Sequence, residues 1–127
     1  MPINYEINEA LKLVVASATG TLTGEEMMNY QLEAWSKESV RDFDEIVDVS
    51  GVEHFDYTSP ANLQEVTKLS AKMDWINYSK KFAIVAPSDI AFGLARMYQS
   101  YRETDVLTRK EIQVFRSMEQ ARQWIGR

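Results

Sequence analysis

Apolar and polar residues alternate with period two over Ile3, Tyr5 and Ile7, and again over Leu11, Leu13 and Val15, with Asn8-Glu9 between the two runs. This pattern predicts a β-hairpin whose second strand continues through Ala16-Ser17-Ala18 towards Gly20-Thr21-Leu22-Thr23. The period then changes. Thr23-Gly24-Glu25-Glu26 has the form of a capping box, and behind it Met28, Leu32 and Trp35 predict the core stripe of a first helix. Glu45-Ile46-Val47-Asp48-Val49 reads as a third strand, followed by a long loop from Ser50 to Pro60. Ser59-Pro60 supplies an N-cap with proline in the first helical position, and Leu63, Val66, Ser70 and Met73 continue at helical spacing. Lys80 to Ala86 is apolar on both faces, as a central parallel strand requires. Pro87-Ser88-Asp89 ends that strand and caps a third helix with a core face of Ala91, Leu94, Tyr98 and Tyr101. Lys110 to Phe115 is a last strand, and Ser117-Met118-Glu119-Gln120 opens a final helix through Ala121, Trp124 and Ile125.

The resulting order, ββαβαβαβα, predicts an α/β fold with a mixed, mostly parallel sheet and an antiparallel first strand. Residues 1–127 form one domain in this reading, since a single core typically occupies on the order of 100–150 residues. No repeat, linker or low-complexity segment interrupts the pattern.

Composition removes several classes of chemistry. The absence of cysteine excludes disulfides, thiol nucleophiles and thiolate zinc sites, and the lone histidine, His54, excludes multi-histidine metal centres. No cofactor or metal is therefore expected. A net charge of −5 argues against nucleic acid as a partner, because tracking phosphates needs a basic excess. The start, Met1-Pro2-Ile3-Asn4-Tyr5-Glu6, does not read as a signal peptide, and no apolar run nears the roughly 20 residues of a membrane span. The expectation is a cytoplasmic protein without stable membrane insertion. Neither a dinucleotide nor a P-loop glycine pattern is present, nor a nucleophile elbow. His54, flanked by Glu53 and Phe55 in the predicted loop, is the sole candidate for serine–histidine–acid chemistry, and a plain loop histidine is the simpler reading. The chain therefore reads as non-enzymatic. Trp75, Ile76 and Tyr78, in the turn before the central strand, either plug the bottom of the core or form a patch for a partner, with the plug preferred. That patch and an edge strand also leave room for a homodimer.

In a parallel sheet, ligands bind at the loops after the strand C-termini. There, Asp48 to Ser59 resembles the signature of STAS domains, the anti-sigma-factor-antagonist family, with Asp56-Tyr57-Thr58-Ser59 in the place of Asp-Ser-Ser-Gly. Gly20-x-Leu22-Thr23 is similar to the family's turn before its first helix. Ala83 to Asp89, Ala91 to Tyr98 and Val114 to Glu119 resemble a bacterial, SpoIIAA-like subgroup of STAS-like proteins that has also been compared with the CRAL-TRIO lipid-binding fold.

The resemblance implies a regulatory protein-interaction module with Thr58 as phospho-acceptor and Asp56, Tyr57 and Ser59 as partner contacts. Tyr57 replaces a small serine and Ser59-Pro60 replaces the glycine; in the plainer reading Thr58 and Ser59 only cap the helix. An alternative follows from the lipid-fold comparison: a cleft lined by Tyr57, Ser88 and Arg96 that takes a small amphiphilic ligand.

Overall fold

The computed structural model describes residues 3–56, 60–75 and 81–126. Its elements run β1 (Ile3–Asn8), β2 (Leu13–Thr23), α1 (Gly24–Ala34), a 3-10 turn (Glu38–Val40), β3 (Asp44–Asp56), α2 (Pro60–Met73), β4 (Lys81–Val85), α3 (Asp89–Thr104), β5 (Glu111–Phe115) and α4 (Met118–Ile125). The sheet has five strands in the order β1-β2-β3-β4-β5, with β1 antiparallel to β2 and the other pairs parallel. This is the predicted α/β architecture. Among the described residues, no helix is long and apolar enough to cross a membrane.

Alternation along the strands divides the core in two. Val47, Phe82 and Ile84 face α1, α2 and α3, while Ile46, Ala83 and Val85 face α4. The caps are those written in the chain. Thr23 Oγ1 accepts from Glu26 N at 3.1 Å while donating to Glu26 Oε1, Ser88 accepts from Ala91 N, and Ser117 accepts from Gln120 N. Leu63, Val66, Ser70 and Met73 are buried, as the helical spacing predicts.

Three expectations are corrected. Leu32 is exposed; α1 instead buries Tyr30, Gln31, Ala34 and the following Trp35, because the polar tips on that face find internal partners and so tolerate burial. Trp75 is 54% exposed and carries the Arg109 guanidinium 4.6 Å from its ring centroid, so it does not plug the core; Ile76 and Tyr78 lie outside the described residues.

The third correction concerns β3. The segment read as a loop from Ser50 is strand as far as Asp56, and His54 lies in it opposite Thr21. Among the described residues, β3 pairs with β4 only up to Asp48, and β2 pairs with β1 only up to Ala18. Beyond these points β2 and β3 continue together as a two-stranded ribbon, with register shifts between Ser17 and Thr19 and between Gly20 and Thr21. Ser50-Gly51 looks like a turn by composition, yet Gly51 serves close approach: a Cβ there would lie 3.0 Å from Thr19 Cγ2 and 3.1 Å from the Ala18 carbonyl oxygen. Gly20, at φ +68°, supplies the left-handed residue at the neighbouring irregularity.

Gly51→Ala therefore has to push the ribbon strands apart, and we expect a loss of about 1 kcal/mol or more, the usual scale of overpacking. Urea unfolding should show a lower midpoint with an unchanged slope.

Candidate functional site

The C-terminal ends of the parallel strands, at Thr23, Asp56, Val85 and Phe115, make the upper rim of the domain. The ribbon dominates it and is two-faced. Leu22, Val49, Val52 and Phe55 turn towards the core, while Thr21, Glu53, His54 and Asp56 are exposed. Asp56 ends β3 in register with Thr23, the N-cap of α1. Tyr57, Thr58 and Ser59 lie outside the described residues, and α2 opens at Pro60.

Ser88 and Arg96 are both exposed, the first as the N-cap of α3 and the second further along that helix. Arg116 fastens the end of β5 to the same corner, donating to Asp89 Oδ1 at 2.7 Å and to the Pro87 carbonyl at 3.1 Å. Among the described residues, no group of three acidic, histidine or cysteine side chains is placed to hold a metal ion.

Beneath the ribbon lies an apolar cavity of about 60 Å³, walled by Leu22 and Phe55 from the ribbon, Met27 and Gln31 from α1, and Ala91 and Ala95 from α3. Phe82 and Ile84 of β4 contribute from the sheet. Neither Ser88 nor Arg96 belongs to its wall. The tips of two aromatic residues in the wall are turned away from the space: Tyr30 Oη and Trp35 Nε1 both donate to Glu45 Oε2, the latter at 3.0 Å.

At the opposite end of the sheet the core holds charges that composition did not reveal. Asp74, the residue after α2, and Arg102, in the last turns of α3, are both 0% exposed. Asp74 Oδ2 accepts from Arg102 Nη2 at 2.5 Å and from the backbone N–H groups of Arg109 and Lys110. Arg102 also donates to Tyr98 Oη at 2.7 Å and to Thr108 Oγ1 at 3.2 Å.

Lys110, just before β5, is buried with its Nζ 3.9 Å from Asp74 Oδ1 and 3.7 Å from the Trp35 ring centroid. Burial lowers its pKa to about 8, an effect that Arg102 reinforces and that Glu45, Asp74 and Asp44 oppose. Burial also raises Tyr30 well above the usual phenol range, with the Glu45 charge acting in the same direction. The chain does carry a signal for this cluster: Arg102 lies four residues after Tyr98, on the apolar face of α3, and Asp74 directly follows the last core residue of α2. A charge on a core face needs a buried partner.

The lowered Lys110 pKa has a definite sign in stability. The unfolded chain holds the lysine proton up to its ordinary pKa of about 10.4, whereas the folded protein releases it near 8. Between these values the unfolded state binds more protons, so stability rises with pH there, by up to about 3 kcal/mol from this group. Chemical denaturation from pH 7.5 to 10 should show that rise in the natural protein. Lys110→Met should lose it.

No known family model matches the chain, and no curated protein does either. A solved structure does resemble it: an uncharacterised protein from the DUF3478 family with a SpoIIAA-like fold, from Shewanella loihica PV-4. The two are 15% identical and superpose with a TM-score of 0.61, over 97% of this chain and 93% of the other. At that identity the likeness speaks for the fold, and fold alone leaves function open. This chain has an α/β fold of the SpoIIAA-like kind.

Proposed function

We propose that this chain is a non-enzymatic regulatory module that presents the β3–α2 junction to a protein partner, with Thr58 as a phospho-acceptor and Asp56, Tyr57 and Ser59 as contacts. The observation that supports this reading is the overhanging ribbon. β3 runs past the sheet to an exposed Asp56, and α2 begins at Pro60, so the hydroxyl-bearing Tyr57-Thr58-Ser59 joins an exposed strand end to the start of a helix.

Phosphate at a helix start meets unpaired backbone N–H groups and the positive end of the helix dipole. It also brings a charge of about −2 to a segment that already carries Glu53 and Asp56, enough to change what that surface attracts. The partner is a protein rather than a nucleic acid, in keeping with the net charge of −5, and a second copy of the chain is one such partner. The setting in this reading is the cytoplasm.

A second reading is favoured by one specific observation, the apolar cavity beneath the same rim. In it the protein holds a small amphiphilic molecule, with the cavity taking the apolar part and Tyr57, Ser88 and Arg96 as the candidate ligand contacts.

Native mass spectrometry of protein purified from its own host, with a denatured control, separates the two. The interaction reading predicts a covalent phosphate-sized increment mapping to Thr58. It also predicts that Thr58→Glu shifts partner affinity about tenfold or more, on the scale of one or two charge-assisted hydrogen bonds, with an unchanged circular dichroism spectrum. Unaltered partner binding by that variant contradicts the switch.

A further inference from the structure

We infer that the open edge of β5 takes an extended segment of a partner protein as a sixth strand, with an acidic residue beside Arg116 and apolar neighbours against Trp124. This surface is separate from the β3–α2 junction and shares no wall residue with the cavity.

β5 ends the sheet on the side opposite β1, so one of its edges faces away from β4. The Phe115 carbonyl accepts from Ala86 N–H at 2.8 Å, which fixes the phase of the strand. Backbone groups alternate in direction, so those of Gln113 and Phe115 are directed to β4 and those of Ile112 and Val114 to the open edge. At Ile112 that edge is closed, because Gln99 Nε2, buried on α3, donates to its carbonyl at 2.7 Å. Val114 is left open. Among the described residues neither its N–H nor its carbonyl oxygen has a partner. Natural sheet edges are commonly blunted by a charge, a proline or a bulge, and Gln113-Val114-Phe115 carries none of these.

The open stretch lies in a groove of about 570 Å³ between α3 and α4. On the α3 side, which Val114 shares, the Arg116 guanidinium sits 4.3 Å from the Phe92 ring centroid. Its bonds to Asp89 and to the Pro87 carbonyl both use Nη1, so Nε and Nη2 are without a partner among the described residues. On the α4 side Phe115 packs against Trp124, with ring centroids 5.7 Å apart. Gln120 and Gln123, also on α4, are exposed, and among the described residues nothing engages their side-chain amides.

These features select the occupant. One residue of an added antiparallel strand exchanges both backbone hydrogen bonds with Val114 and shares its face of the sheet. The free guanidinium nitrogens on that face favour an acidic side chain there. Its two neighbours point to the α4 face, where Phe115 and Trp124 favour apolar side chains and the glutamine amides can bond peptide backbone. A second copy of the chain fits less well. Pairing β5 with itself about Val114 sets each Ile112, which Gln99 has closed, against the second copy's Arg116. The open stretch, Val114 to Arg116, is also far below the roughly 20–30 residues per side of a standard interface between folded domains.

The probe is the pentapeptide Thr-Leu-Asp-Val-Thr, acetylated and amidated at its ends and titrated into the ¹⁵N-labelled full chain. The inference predicts saturable shifts at the amides of Val114, Phe115 and Arg116 and at the Trp124 indole. Methylating the aspartate nitrogen removes the donor to the Val114 carbonyl and should weaken binding about tenfold. Lysine in place of the aspartate should weaken it by a similar factor, and Arg116→Gln should erase that preference. The wild-type comparisons stand even where that variant fails to fold. No saturable shift at Val114 overturns the site. Equal affinity for the methylated peptide overturns strand addition, and equal affinity for the lysine peptide overturns the pairing with Arg116. A concentration-dependent dimer of the free chain that the peptide dissociates assigns the edge to a second copy and overturns the partner segment.

Discussion

The buried Asp74 carboxylate is the interaction on which the lower half of the domain depends. One oxygen receives the Arg102 guanidinium and the backbone N–H groups of Arg109 and Lys110. The end of α2, the end of α3 and the entry into β5 are thereby tied to a single point. Burying these charges is expensive, and the cost is offset by the hydrogen bonds to Asp74 Oδ2 and by the 3.9 Å ion pair of Lys110 with Asp74 Oδ1. Asp74 Oδ1, Lys110 Nζ and Glu45 Oε1 make no hydrogen bond among the described residues. Truncating one member would strand the others in a low-dielectric interior, a loss of about 3–5 kcal/mol in comparable buried pairs. Glu45 extends the cluster, holding Tyr30 and Trp35 so that α1 is oriented on the sheet by hydrogen bonds as well as by packing.

The upper half is built on a different principle. Above Val85 and Phe115 only β2 and β3 continue, and each ribbon strand has its partner on one side alone among the described residues. An isolated two-stranded unit is marginal in water, so the ribbon depends on the apolar contacts of Leu22, Val52 and Phe55 with the core. The same residues, Leu22 and Phe55, wall the cavity. A locked base and a less supported rim fit the proposed recognition role, because binding segments come from the less stable parts of a fold.

The element order was legible because it rests on strong local signals: the capping residues Thr23, Ser88 and Ser117, the alternation in β1 and β2, and the apolar run of β4. What was not legible depends on partners distant in sequence. Ser50-Gly51 reads as a turn until Thr19 is known to lie against it. Leu32 reads as core until Tyr30 and Gln31 are seen to find acceptors inside. Trp75 draws the eye in its turn, whereas its neighbour Asp74 is the residue that closes the core, because Arg102 waits for it 28 positions further on.

Native-state hydrogen exchange tests the division between a locked base and an adaptable rim most directly. The account predicts that amides of Phe82 to Ile84 and Ile112 to Val114 exchange only through global unfolding. Those of Val52 to Phe55 should exchange through a local opening of clearly lower free energy. Equal opening free energies in the two regions would contradict it.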